Sequence, residues 1–154
     1  MNSVLIDTNL LLLLIVGLYD KNIIGVHKRT KGFTPEDYDL LIRQVNGFNT
    51  LWITSHCLAE TSNLLKQTHK DQAVNLLYYL SQFCRTTRES HISKKYIFDN
   101  EAYLSLGVSD TGLVQKSKRV NCVYTVDLDL YIKLSNIGQK VVNFNHLRVG
   151  QLLA

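Results

Sequence analysis

Proline is nearly absent from this chain: Pro35 is the only one in 154 residues, beside eight glycines. With 45% hydrophobic and 19% charged residues, that scarcity excludes a low-complexity or disordered polymer. Cysteine is also sparse. Cys57, Cys84 and Cys122 are odd in number and far apart, which argues against a disulfide framework and for a reducing setting. No Cys-x-x-Cys and no closely spaced histidine pair suggests a zinc site. The chain also lacks Gly-x-x-x-x-Gly-Lys, so it is not a P-loop enzyme. Its longest uninterrupted apolar run, Leu10 to Val16, is far too short to span a bilayer, and no basic residue precedes it as a secretory signal would require. A soluble, cytoplasmic protein without membrane contact is expected. At this length one domain, 1–154, can bury a core without metal or disulfide staples.

What is present reads as strands alternating with helices. Val4 to Ile6, Leu51 to Thr54, Cys122 to Val126 and Lys140 to Phe144 have the composition of short buried strands. The leucine run after Asn9 reads as a helix. Thr34-Pro35-Glu36-Asp37 starts another, with Thr34 as cap, Pro35 in the first turn and two acids facing the exposed amides. Ser55 is the expected cap of a helix from His56 to about Gln67. Further helices are expected over Asp71 to Cys84, Asp110 (capped by Ser109) to about Arg119, and Leu128 to Asn136, which Gly138 ends. Asp20 to Gly32 reads as a loop, and Thr86 to Glu101 mostly as loop. The alternation predicts an α/β fold, a mostly parallel central sheet flanked by helices on both faces, with ligands bound beyond the carboxyl ends of its strands.

The net charge of +4 is too mild to demand a polyanionic partner, so the placement of the acids matters more. Asp7 and Asp127 each follow a strand and so fall at the expected ligand crevice. Glu60 shares a helix face with Cys57 and Leu64, and Asp110 shares one with Leu113 and Val114, so both are expected to point inward. Taken singly, each has a structural reading: a helix cap, a first-turn acid, a partner for a distant lysine. Together, ionised carboxylates in such surroundings cost several kcal/mol, roughly, unless cations or hydrogen bonds compensate them. An all-oxygen set suits Mg²⁺ or Mn²⁺.

Four segments, IDTN (Ile6 to Asn9), HCLAETSNLL with Glu60, SDTGLV with Asp110 and YTVDLDL (Tyr124 to Leu130), resemble in order and spacing the PIN-domain ribonuclease family, which includes bacterial toxin members. The resemblance covers nearly the whole chain and implies a PIN-like fold. It implies that Asp7, Glu60, Asp110 and Asp127 bind one or two Mg²⁺ or Mn²⁺ ions, with Asp129 as an additional acid. Thr8, Asn9 and Thr125 match the polar positions that support the carboxylates. The implied activity is endoribonuclease cleavage leaving 5′-phosphate and 3′-hydroxyl ends. A toxin-like member would also have an antitoxin protein that blocks the pocket, and a homodimer is the family's implication too. The chain departs from compact members in its longer, basic stretch Gly17 to Phe33 and in an expanded Thr86 to Glu101.

A phosphodiester needs basic groups to approach such a pocket. Lys116, Lys118 and Arg119 form one candidate set, and Lys28, Arg29 and Lys31, with His27 nearby, form another. A solvated basic face is the alternative for both. Tyr19, Tyr38 and Trp52 could stack bases, although their spacing also suits core positions. Two competing functions remain: a catalytically inactive RNA-binding or protein-interaction module, and a nuclease acting on DNA. A phospho-acceptor receiver domain is disfavoured, because Asp7 stands alone after its strand and Thr54 follows the second.

Overall fold

In the computed structural model, which describes residues 2–153, five strands form one parallel sheet. The strands are β1 (Ser3–Ile6), β2 (Thr50–Thr54), β3 (Arg88–Ser90), β4 (Cys122–Thr125) and β5 (Val141–Asn143), in the spatial order β3-β2-β1-β4-β5. Every adjacent pair is parallel, with Leu5 opposite both Trp52 and Val123. Met1 and Ala154, the ends of the expected domain span, lie outside the described residues.

Parallel strands need crossovers, and the helices supply them. They are α1 (Thr8–Tyr19), α2 (Pro35–Asn46), α3 (Ser55–Lys66), α4 (Lys70–Cys84), α5 (Lys94–Phe98), α6 (Tyr103–Ser117), α7 (Leu128–Asn136) and α8 (Phe144–Leu153). The side-chain alternation of β1 divides the core between the two faces of the sheet. Val4 and Ile6 join the larger cluster with α1, α2 and α4, whereas Leu5 joins Leu113, Val114, Val123 and Leu130 beneath α6 and α7. The expected α/β fold with helices on both faces is therefore what the chain adopts.

Helix α1 is apolar all round because it is surrounded. Leu10 to Val16 are at most 1% exposed, and the helix packs against α2, α3 and α4. Gly17 lets α2 approach: a Cβ there would lie 2.1 Å from Cδ2 of Tyr38. The start of α2 is a reciprocal cap, in which the Asp37 N–H donates to Thr34 Oγ1 (3.2 Å) and the Thr34 N–H to Asp37 Oδ2 (2.8 Å).

Three local expectations are corrected. The cap of α3 is Thr54, whose hydroxyl accepts from the Cys57 N–H at 3.2 Å, and Ser55 is already helical. The stretch from Thr86 to Glu101 is not all loop, since it holds β3 and α5. The segment from Asp20 to Gly32 is a loop as expected, and an ordered one: it contains a 3-10 turn at Lys21–Ile23, buries Ile24, His27 and Thr30, and bonds Thr30 Oγ1 to the Ile24 carbonyl at 2.8 Å. Helix α6 neither begins at Asp110 nor reaches Arg119. It runs from Tyr103 to Ser117 with a sharp kink at Gly107, whose φ of 82° and ψ of −176° only glycine adopts readily.

Candidate active site

The carboxyl ends of β1 and β4 lie side by side, and the chain turns into a helix just after each. Asp7 caps α1, with Oδ1 accepting from the Leu10 N–H at 2.9 Å. Its other oxygen accepts from the Thr125 hydroxyl (2.6 Å) and the Val126 N–H (3.0 Å). Asp127 caps α7 in the same way, with Oδ1 accepting from the Leu130 N–H at 2.9 Å. Thr125 couples the two caps, because its hydroxyl donates to Asp7 and accepts from the Asp127 N–H at 2.9 Å. Each acid thus satisfies a helix-terminal amide and meets the positive end of a helix dipole.

Asp7, Glu60, Asp110 and Asp127 line one cleft of about 590 Å³ with Thr8 and Asn9. Leu64 and the run from Leu106 to Ser109 complete the wall, and neither Lys nor Arg is among the lining residues. Leu64 was expected on the helix face of Glu60, whereas the Gly107 turn was not singled out from the sequence. The one signal for the turn is a glycine interrupting the apolar pattern of Tyr103 to Asp110.

The four acids do not share one environment. Asp7 is 4% exposed, and burial pushes its carboxyl above the usual range against the pull of its three hydrogen bonds. Asp110 is half-buried and, among the described residues, makes no side-chain hydrogen bond. Burial first, then the charges of Asp127, Asp7, Glu60 and Asp129, push its carboxyl up to about 7. Glu60 corrects an expectation. It is exposed, because Cys57 and Leu65 take the inward face of α3 while Glu60 stands at the mouth of the cleft. Asp129 is exposed in the first turn of α7 and does not line the cleft, though its charge reaches Asp110. Cys57 lies just behind the site. Burial pushes its thiol up to about 11, so it stays protonated. The buried Thr8 hydroxyl lies beside that thiol and has no other partner.

The donor set is all-oxygen and uncompensated by any basic side chain in the cleft, which suits a hard divalent cation. It is not drawn together, however: among the described residues, no three His, Cys, Asp or Glu side chains are gathered closely enough to hold a metal ion. Asp7 accounts for part of this, since protein donors occupy both its oxygens.

The expected basic groups lie elsewhere. Lys28 and Lys31 are exposed on the folded connection after α1, and Arg29 bonds to Gln67. His27 is buried, its Nδ1 accepts from the Arg29 N–H at 3.1 Å, and desolvation holds it neutral. Lys118 and Arg119 follow α6, eight and nine residues past Asp110 and roughly 12 Å further along its axis. Lys116 is only 7% exposed, with its ammonium 3.6 Å from the centre of the Trp52 ring. Trp52 packs on the second core, Tyr38 against α1, and Tyr19 edge-on to Tyr79. None of these basic or aromatic residues lines the acidic cleft. No helix among the described residues is long and apolar enough to cross a membrane. No protein-family model matches the chain, and no curated protein matches it.

Proposed function

We propose that this chain is a metal-dependent endoribonuclease of the PIN-domain kind, in which Asp7, Glu60, Asp110 and Asp127 hold one or two Mg²⁺ or Mn²⁺ ions and Asp129 is an outlying acid. One observation carries the reading: four carboxylates from segments remote in sequence meet in one cleft that contains no basic side chain. Backbone amides and helix dipoles offset part of the charge on Asp7 and Asp127, but no basic side chain in the cleft offsets the repulsion among the four, and a bound dication would.

When bound, such an ion lowers the pKa of an attacking water and neutralises charge building on the phosphoryl oxygens. The protein's own groups have separable tasks. The Leu10 and Val126 amides and the Thr125 hydroxyl fix the position of the Asp7 carboxyl at the back wall. The Leu130 N–H orients Asp127 through one oxygen and leaves the other toward the cleft. Asp110, with a carboxyl at about 7 and no side-chain hydrogen bond, would release its proton near neutral pH if it held a counter-ion. Glu60 supplies an exposed arm at the mouth, suited to direct or water-mediated contact.

The test is labelled single-stranded RNA and DNA incubated with the protein in Mg²⁺, Mn²⁺ or EDTA, beside Asp110→Asn. Cleavage of RNA with either metal, leaving 5′-phosphate ends and abolished in EDTA and in the variant, is the expected result. Failure to cut in every metal, or equal cutting by the variant, ends the reading. Cleavage of DNA alone keeps the chemistry and changes the substrate.

A second reading is favoured by the acids' separation in this structure: a catalytically inactive module that binds RNA or protein through the same cleft. It predicts RNA affinity without cleavage. The toxin role, with a cytoplasmic location, a homodimer and an antitoxin that inserts a basic side chain into the cleft, belongs to the first reading and rests on the resemblance. Equal growth of cells expressing the chain with and without its neighbouring gene would count against it.

A further inference from the structure

Beyond the acidic cleft, a second pocket of about 530 Å³ lies between the β3–α5 connection and the C-terminal half of α6. Ser90, His91 and Tyr96 line one side, and Lys116, Lys118 and Arg119 the other. No Asp or Glu lines it. Among the described residues, none of these three cations is in an ion pair, because the ion pairs are Lys21–Asp39, Lys133–Glu101 and Arg148–Asp37. Lys118 instead donates to Gln115 Oε1 at 3.1 Å.

The positive end of such a patch has a bland explanation, since basic residues in the last turn complement a helix dipole. That explanation does not require a concave wall, nor the burial of Lys116. Its ammonium lies over the Trp52 ring, and the Arg88 guanidinium lies 6.0 Å from the centre of the same ring. Arg119 is shared with a neighbouring pocket lined by Trp52 and Arg88, so the positive surface continues across the β3 edge of the sheet. Tyr96 stands at the pocket with 59% of its surface exposed.

We infer that this pocket is a second binding site, which takes backbone phosphates of single-stranded RNA on Lys116, Lys118 and Arg119 and stacks a base on Tyr96. Cations without acids match a polyanion, and an exposed aromatic beside them separates a nucleic-acid strand from other polyanions. The identification of the ligand as RNA rests on the ribonuclease reading, but the site shares no residue with the acidic cleft.

The experiment measures fluorescence anisotropy of a labelled twelve-nucleotide single-stranded RNA in EDTA, where no cutting occurs, across a salt series. The proteins are wild type, Lys118→Gln with Arg119→Gln, Lys116→Met and Tyr96→Ala. Lys118 and Arg119 are exposed, so their replacement spares the fold. Lys116→Met removes the charge but keeps an apolar stem. The double variant is expected to bind about tenfold more weakly or worse, with a salt slope smaller by about 1.4, roughly 0.7 for each phosphate no longer neutralised. Tyr96→Ala is expected to weaken binding about tenfold with the salt slope unchanged. Wild-type affinity and slope in the double variant overturn the inference, as does a wild type that binds no RNA. Weaker binding of an acidic peptide with RNA binding retained also overturns it, and marks a protein-docking surface instead. If no metal supports cleavage yet the double variant binds RNA more weakly, the catalytic reading fails and this one stands. If the wild type cleaves and the double variant binds and cleaves equally well, the reverse holds.

Discussion

At one end of the second segment of α6, Asp110 looks onto three other carboxylates and no cation, whereas at the other end Lys116, Lys118 and Arg119 surround a pocket without a carboxylate. The helix dipole favours both placements, the acid near the start of the segment after Gly107 and the bases at its end. About 12 Å separates them along the axis, more than the Debye length of about 8 Å at physiological ionic strength. Through water the two sites therefore do little to neutralise each other. The acidic cleft keeps its excess of negative charge although the whole protein carries +4.

The comparison breaks most sharply on activity. Asp110→Asn should lower Mn²⁺-dependent RNA cleavage by at least about 100-fold, the scale of removing one charge-stabilising group. This variant is cleaner than Asp7→Asn. An amide at Asp7 can offer one oxygen where three donors now converge, so that change also disturbs the caps. Initial rates on labelled RNA would settle it, and a retained rate would remove Asp110 from the machinery.

The kink that turns Asp110 into the cleft should be the next largest effect. Nothing lies within 4 Å of where a Cβ at Gly107 would sit, so the cost of Gly107→Ala is backbone strain and not collision. Stability should fall by about 1–3 kcal/mol, read as a lower denaturant midpoint, with weaker cleavage as the carboxylate shifts. An unchanged midpoint would mean that the turn is not held by the surrounding structure.

The acidic end should also oppose folding as pH rises. Asp110 has a carboxyl at about 7 in the folded protein against an ordinary value of 3.8. Below 3.8 both states are protonated and stability is unaffected. Between 3.8 and 7 the folded state holds a proton that the unfolded state has released, so stability falls with rising pH until the folded carboxyl also ionises. In EDTA, Asp110→Asn should therefore be more stable than wild type at pH 8 by about 1–2 kcal/mol, a figure discounted for the half of the side chain that water screens. The difference should vanish near pH 3.5, roughly where both states carry the proton. Urea titrations at both pH values measure it, and equal stability at pH 8 would show that neither burial nor the neighbouring acids raise the Asp110 carboxyl.

The basic end should behave oppositely. Lys118→Gln with Arg119→Gln should move stability by less than about 0.5 kcal/mol at either pH, since neither group is buried or ion-paired. A larger change in the melting curve would make those residues structural.

Much of the sheet was legible in the chain because short runs such as Val4 to Ile6 and Cys122 to Tyr124 are buried on both faces and therefore largely apolar. The cap of α2 was legible for a local reason: Thr34 and Asp37 satisfy each other's amides within four residues. Strand β3 was not legible. Arg-Glu-Ser is polar and mostly exposed, and it is a strand only because an edge of β2 was left to pair. Likewise, helical spacing placed Glu60 inward, but which face of α3 is buried depends on where α1 and α4 pack.

The sequence by itself determined that strands and helices alternate and that Asp7 and Asp127 end their strands, since apolar pattern and capping chemistry act over a few residues. Only the tertiary structure decided that Asp110 and Glu60 join them in one cleft, that Lys116 lies on Trp52, and that the cations gather away from the acids. Those outcomes depend on the kink at Gly107 and on the packing of α6 across the sheet, interactions between residues far apart in the chain that no local pattern encodes.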